Sequence, residues 1–213
     1  MYIETIMNIV GFLGIIAFAV SGAMVAIKKR VDLVGVIFLA VVTATGGGIM
    51  RDIFLDRLPP TSFLDTGYIT IAALTALLVY ALAKNNKAYY QKNTHVIDTV
   101  TNIFDALGLG TFVVMGSQSA IDAGFVGNGF FVVFMGVLTG IGGGFMRDIM
   151  VQEIPVILRK HFYALAAAAG SLTFYLLYIQ TIPYGISVLL SVLVTFSLRM
   201  LATHYKWNLP PAI

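Results

Sequence analysis

Long apolar segments separated by short polar ones fill most of the chain. A helix needs about 20 apolar residues to cross the hydrocarbon core of a bilayer, and its backbone groups then bond within the segment. Seven segments meet this requirement: residues 6–27, 33–58, 66–83, 102–121, 125–152, 162–179 and 182–201. The pattern predicts an all-α integral membrane protein with seven transmembrane helices.

The composition agrees with this pattern and excludes several kinds of site. Of 213 residues, 59% are hydrophobic and 11% are charged, whereas soluble domains carry about a quarter charged residues. Cysteine is absent, so disulfides, thiolate metal sites and thiol nucleophiles are excluded. The three histidines, His95, His161 and His204, lie far apart in the sequence. We therefore expect neither a metal site nor a cofactor.

The basic residues lie mainly on one side of the predicted membrane. With seven spans, eleven of the thirteen fall on one side and only Arg51 and Arg57 on the other. The eleven are Lys28, Lys29, Arg30, Lys84, Lys87, Lys92, Arg147, Arg159, Lys160, Arg199 and Lys206. Positive charge is retained on the cytoplasmic side, so we predict a multi-pass protein of the cell (inner) membrane whose amino terminus faces outside, or a lumen, and whose carboxyl terminus is cytoplasmic. These clusters do not indicate a nucleic-acid partner.

The first half of the chain is repeated in the second half. ETIMNIVGFLG at 4–14 matches DTVTNIFDALG at 98–108, and TATGGGIMRDI at 43–53 matches TGIGGGFMRDI at 139–149. Each copy holds three predicted spans, an odd number, so the second copy enters the membrane from the opposite side. The sequence therefore predicts two inverted three-helix repeats and a seventh helix without a counterpart.

These features divide one membrane domain, 1–213, into five parts. We interpret them as repeat one at 1–83, a linker at 84–95, repeat two at 96–180, the seventh helix at 182–201 and a cytoplasmic tail at 202–213. The linker, KNNKAYYQKNTH, joins the repeats across the cytoplasmic face. Because tyrosines favour membrane interfaces, Tyr89 and Tyr90 predict that the linker rests on the membrane surface.

Three consecutive glycines lie near the centre of the second span and again of the fifth. The triplets are Gly46, Gly47 and Gly48, and Gly142, Gly143 and Gly144. Glycine weakens a helix by about 1 kcal/mol relative to alanine, permits a bend and can free backbone carbonyls. In hydrocarbon, such carbonyls are tolerated only against protein or a water-filled cavity. We predict kinks that constrict a polar path at mid-depth; close helix packing is the alternative.

An arginine and an aspartate follow each glycine triplet. They are Arg51 with Asp52 and Arg147 with Asp148. An arginine near a helix centre costs at least about 2.5 kcal/mol on insertion scales, so each should face water, a carboxylate or free carbonyls. We predict that the pairs guard the two entrances of the polar path. The alternative is that both pairs snorkel to the membrane interface.

Several neutral polar residues are candidates to line or support this path. The hydroxyls of Ser21, Thr43, Ser117 and Thr139 lie in the apolar segments, although such hydroxyls often bond their own helix. Asn8 and Asn102 occupy matched positions of the repeats, and hydrogen bonds between helices are an alternative role for them.

The residues described above resemble a known family, the prokaryotic branch of the trimeric intracellular cation (TRIC) channels. The resemblance rests on the seven spans, the doubled three-helix unit, the outside amino terminus and GGG-x-x-R-D in the second and fifth spans. It implies a homotrimer in which each protomer has its own pore for monovalent cations such as potassium. The pore or its supporting network would include Arg51, Asp52, Arg147 and Asp148. Permeant potassium or sodium ions and bound lipid would be the small partners.

Two other classes of function compete with the channel. A secondary transporter of a small solute such as glycine would also use inverted repeats with broken helices. A membrane enzyme would gather acids and histidines with a nucleophile or metal spacing at one face, and we find no such pattern, so we predict that the protein is not an enzyme.

An arginine at each entrance disfavours cations unless the neighbouring aspartate neutralises it. We therefore expect modest selectivity.

Overall fold

The described part of the chain folds into seven long helices and two short ones. The computed structural model describes residues 2–86, 93–159 and 162–207. The long helices are α1 (Tyr2–Lys28), α2 (Leu33–Phe54), α4 (Gly67–Asn85), α5 (Thr94–Ala120), α6 (Gly129–Met150), α8 (Phe162–Ile179) and α9 (Tyr184–His204). The short ones are α3 (Thr61–Leu64) and α7 (Val156–Arg159), and a π-helical turn, Ile121–Phe125, follows α5. All seven long helices are long and apolar enough to cross a membrane, which confirms the predicted fold class.

Several spans end at residues other than the predicted ones, because backbone conformation, capping or local polarity decides where each helix stops. The second span ends at Phe54 rather than at residue 58, since Asp56 adopts a left-handed conformation with φ of 54°. The fifth begins at Gly129 rather than at residue 125, because the Asn128 side chain caps it by accepting a hydrogen bond from the Phe131 N–H. The fourth begins at Thr94 instead of residue 102. Its first turns are polar, so a search for apolar segments does not include them.

Part of the predicted linker lies outside the described residues. The residues that the structure does not describe include Tyr89 and Tyr90, on which the predicted contact between the linker and the membrane surface rests. Lys160 and His161 also lie outside the described residues. The boundaries drawn for the linker and the tail stay predictions.

Ion pairs at one face of the molecule join the two repeats. Lys28, the last residue of α1, pairs with Asp98 near the start of α5 at 2.6 Å, and Lys29 pairs with Glu153, just beyond α6, at 2.7 Å. The hydrogen bond from Lys29 lowers the pKa of the Glu153 carboxyl below its ordinary value. Thus α1 ends, α5 begins and α6 ends at the same face.

The end of α2 lies at the other face. Arg57, which follows α2, donates a hydrogen bond to the backbone carbonyl of Ser119 near the end of α5 at 3.3 Å. Because α5 starts at the face where α6 ends, α2 and α6 end at opposite faces. This is the arrangement that inverted repeats require.

The helices pack as two three-helix units joined through their first two members. In the first unit α4 packs on α1 and α2, in the second α8 packs on α5 and α6, and α1 and α2 contact α5 and α6 respectively. The seventh span, α9, packs on α8 and α5. Large apolar side chains such as Leu78 (62% exposed) and Phe130 (82%) cover the outside, as expected for a surface facing lipid.

The left-handed residues that end α2 and α6 give a test of the fold. A left-handed conformation costs a residue other than glycine about 1 kcal/mol or more. We therefore expect Asp56→Gly and Gln152→Gly, at φ of 54° and 55°, to raise the unfolding temperature of the detergent-solubilised protein. Asp56→Val should lower it, because a β-branched residue adopts this conformation least readily. Equal effects of glycine and valine would contradict the assigned turn.

Candidate functional site

The first Arg-Asp pair forms a buried ion pair in the last turn of α2. Arg51 Nε donates to Asp52 Oδ1 at 2.8 Å, and Nη2 lies 2.7 Å from the same oxygen. The other carboxylate oxygen of Asp52 accepts the backbone N–H of Thr61, the first residue of α3, at 2.8 Å. Arg51 is 8% exposed and Asp52 is fully buried, so the pair lies within the protein rather than extending to its surface.

The second pair repeats this geometry at the opposite face. Arg147 Nε and Nη2 both lie 2.9 Å from Asp148 Oδ1, and the second oxygen of Asp148 accepts the N–H of Val156, the first residue of α7. Each aspartate therefore neutralises its neighbouring arginine and also satisfies the exposed N-terminus of a short helix. The repeated sequence motif thus forms the same arrangement of ion pair and short helix twice.

Arg147 makes further bonds that Arg51 does not show among the described residues. Its Nη1 donates to Asp105 Oδ1 of α5 at 2.7 Å and to Ser21 Oγ of α1 at 2.6 Å. With Asp148, this guanidinium joins α1, α5 and α6. Arg147 is 3% exposed and Asp105 is 4% exposed, so the bonds form away from water.

A second arginine is buried near this cluster. Arg199 of α9 is 2% exposed, and its guanidinium carbon lies 4.6 Å from the centre of the Tyr163 ring, a cation–π contact. Its Nη2 donates to Asn102 Oδ1 at 2.9 Å, and the Asn102 amide donates to Thr203 Oγ1 at 3.2 Å. Asn102 thus bonds between helices, the alternative role given to it above, whereas Asn8 is exposed.

Three residues of this cluster are not among the site residues predicted from the sequence: Asp105, Tyr163 and Arg199. Asp105 is the single acid in the predicted span 102–121, and an acid inside a span is by default a functional candidate. The charge count places Arg147 and Arg199 on the cytoplasmic side, but the structure buries both side chains between helices. Without them, and without the buried Arg51, the count of eleven against two becomes nine against one. The orientation stays a prediction.

The two glycine triplets bring α2 and α6 into direct backbone contact. A Cβ atom added to Gly47 would overlap the Thr139 carbonyl oxygen, and one added to Gly143 would overlap the Thr43 carbonyl oxygen. A Cβ on Gly46 would lie 2.6 Å from Met146 Sδ and one on Gly142 would lie 3.0 Å from Met50 Sδ. Such close approach of two backbones is possible only with glycine at these positions.

Both helices continue through their triplets without interruption. The packing role that was the alternative interpretation is therefore evident in the structure, and a bend at the triplets stays a prediction. Beside this crossing, the rings of Phe18 and Phe112, matched residues of the two repeats, stack with centroids 5.1 Å apart. Phe18 is 1% exposed. Backbone contact and stacked rings together fill the interface at mid-depth.

The four candidate hydroxyls have different partners. Thr43 and Thr139 donate to carbonyls one turn earlier in their own helices, at 2.6 and 2.7 Å, which is the common behaviour of hydroxyls in spans. Ser117 bonds Ser171 of α8 at 2.6 Å. Ser21 is the one of the four that the structure places on a charged site residue, Arg147.

Comparisons with known proteins agree with this geometry. A family model described as Glycine transporter matches residues 8–84 and 102–179, which correspond to the two repeats. A UPF0126 membrane protein of Deinococcus radiodurans is 36% identical over 93% of this chain and 88% of its own length. The UPF0126 inner membrane protein YadS of Escherichia coli K12 is 34% identical over 92% and 91%.

Solved structures extend the likeness to the fold. A structure described for conductance through TRIC cation channels shares 36% identity and a TM-score of 0.81 over 97% of both chains. A crystal structure of a prokaryotic TRIC channel in 0.5 M KCl gives 33% and 0.85, over 98% of this chain and all of the other. This chain belongs to the prokaryotic TRIC family. The TRIC orthologue of Rhodobacter sphaeroides, described as a trimeric intracellular cation channel, gives 28% and 0.84 over 95% of this chain.

The backbone contact of this TRIC protein predicts unequal effects of similar substitutions. Gly47→Ala and Gly143→Ala place a methyl group on a carbonyl oxygen, so α2 and α6 must separate, at a cost of about 1–3 kcal/mol. Gly48→Ala is the matched control, because its methyl group would lie 3.9 Å from both Arg51 Nη2 and Ser62 Oγ, an ordinary van der Waals distance. Thermal unfolding in detergent should show a lower midpoint for the first two only. A similar loss for Gly48→Ala would show that helix propensity rather than contact decides.

Proposed function

We propose that this protein is a cation channel permeable to potassium, with one pathway in each protomer between the two inverted repeats. The observation that carries the proposal is the pair of buried, neutralised arginines at opposite ends of the α2–α6 contact. Charged side chains inside a membrane segment mark ion or substrate pathways by default. Identity of 33–36% to solved TRIC channels over nearly the whole chain supports the same function.

The pathway is constricted where the glycine triplets meet. Thr43, Thr139 and the glycines Gly47 and Gly143 are all buried there, which supports a constriction at this contact. Opening requires α2 and α6 to separate or bend, and glycine makes both motions cheaper than any other residue would. Ion flow would then pass between backbone carbonyls and the Arg-Asp pairs.

The assembly and the membrane orientation belong to the same proposal. The protein forms a homotrimer in the inner membrane, with bound lipid, an outside amino terminus and a cytoplasmic carboxyl terminus. The trimeric relative of Rhodobacter sphaeroides supports the first statement, and the nine-to-one distribution of the remaining basic residues along the sequence supports the orientation. Chemical cross-linking in native membranes should give a ladder that ends at three protomers.

A carrier of a small solute is the second candidate. The description of the matching family model, Glycine transporter, favours it, as does the design of many transporters around inverted repeats. A carrier must expose its site to one side at a time, so it shows saturable uptake without unitary currents. The Arg-Asp pairs would then bind the solute's carboxylate and ammonium groups.

Planar-bilayer recording of the purified protein separates the two candidates. We expect discrete currents in symmetric KCl and, in a KCl gradient, a reversal potential on the cation side with a modest potassium preference over sodium. The control is Arg159→Gln, which removes an exposed charge outside the spans and should leave the currents unchanged. Saturable glycine uptake into liposomes without unitary current would overturn the channel, and anion preference would overturn the cation assignment.

A further inference from the structure

The two ends of the candidate pathway differ in how their charge is balanced. At one end, Arg51 pairs with Asp52, one cation with one anion. At the other end the structure buries two cations and two carboxylates, namely Arg147, Arg199, Asp105 and Asp148. Both ends are therefore neutral overall. The second end, however, is neutral only because α5 contributes Asp105.

The inverted repeat does not account for Asp105. Its matched position in the first repeat is Gly11, and the matched position of Ser21 is Met115. A Cβ atom on Gly11 would lie 3.2 Å from Met115 Cε, so these two positions meet just as Asp105 meets Ser21. A polar pair at one end thus replaces an apolar pair at the other. A charge contributed by a part of the chain that is not repeated would account for the carboxylate.

That part is the seventh span, α9, which contributes Arg199. Its hydrogen-bond acceptor Asn102 and the Tyr163 ring are both uncharged, and its Nε has no hydrogen-bond partner among the described residues. A Cβ on Gly144 would lie 3.1 Å from the Tyr163 hydroxyl and 3.7 Å from Asp105 Oδ1. The Tyr163 ring thus contacts Arg199, while its hydroxyl and Asp105 Oδ1 both lie near Gly144. The unpaired positive charge and the additional carboxylate belong to one cluster.

We propose that Asp105 determines the preference for cations, because it cancels the charge that Arg199 brings to the Arg147 end. The proposal rests on the channel function proposed above. Without Asp105, two arginines would face one carboxylate, and the net positive charge would repel cations and attract anions. One unit charge about 6 Å from a permeating ion in water changes the partition of each ion by about threefold, so the cation-to-anion ratio changes by about tenfold.

The test measures the potassium-to-chloride permeability ratio from reversal potentials of the full-length protein in a KCl gradient. Asp105→Asn should lower the ratio by about tenfold, and Arg199→Gln should raise it by a similar factor, because the two changes leave net charges of opposite sign. The double variant should return towards the wild-type ratio. Arg199→Gln also supplies a result by itself if Asp105→Asn does not fold.

Two controls separate charge from shape and position. Asp105→Glu keeps the carboxylate and should keep the ratio. Asp98→Asn removes the same charge from the same helix, but Asp98 is half-exposed and paired with Lys28, so salt screens it and the ratio should stay unchanged.

Three outcomes would overturn the assignment. A wild-type ratio in both single variants, or a shift of both in the same direction, would show that Asp105 does not act through charge, while the channel itself would stand. A wild-type protein without current would overturn the channel and, with it, this role.

Discussion

The contact between the backbones of α2 and α6 is the constraint on which the rest of the structure depends. Gly47 and Gly143 each lie against a carbonyl of the opposite helix, so any side chain there would force the two repeats apart. In lipid there is no hydrophobic force that drives helices together, and close packing of small residues replaces it. In the proposed channel, the same contact that joins the repeats is also the constriction between them. Stability and the proposed constriction therefore depend on the same few atoms.

The second constraint is that charge inside the membrane must be balanced. Each arginine of the repeated motif bonds the aspartate that follows it, and that aspartate also accepts the first N–H of a short helix. A buried charge left without a partner is strongly destabilising, so arginine, aspartate and short helix form one unit. The unit occurs twice, because the sequence that encodes it occurs twice. The non-repeated Arg199 breaks the symmetry, and Asp105 compensates for it.

The sequence predicts most of the architecture. Apolar length is enough to place seven spans, and the doubled motif is enough to predict inverted repeats, because both signals are local and long. The ends of spans are harder: a left-handed residue such as Asp56 and a capping residue such as Asn128 determine them, and hydropathy does not detect either.

The site is predicted only where its residues are adjacent in sequence. Arg147 and Asp148 are neighbours, so their ion pair is visible in the motif, whereas the bond from Arg147 to Asp105 joins helices that are distant in the chain. Arg199 near the end of its span resembles a topology signal, because an arginine at a membrane boundary usually is one. The sequence does not decide the role of the triplets either: three glycines favour a bend or a close contact, and only packing distances reveal the contact.

The double use of Asp52 and Asp148 has a mechanical consequence. One oxygen of each carboxylate bonds a guanidinium, and the other accepts the first backbone N–H of α3 or α7. A displacement of either short helix therefore reaches a buried guanidinium through a single carboxylate. The position of the short helix and the burial of the charge are coupled at one aspartate in each repeat.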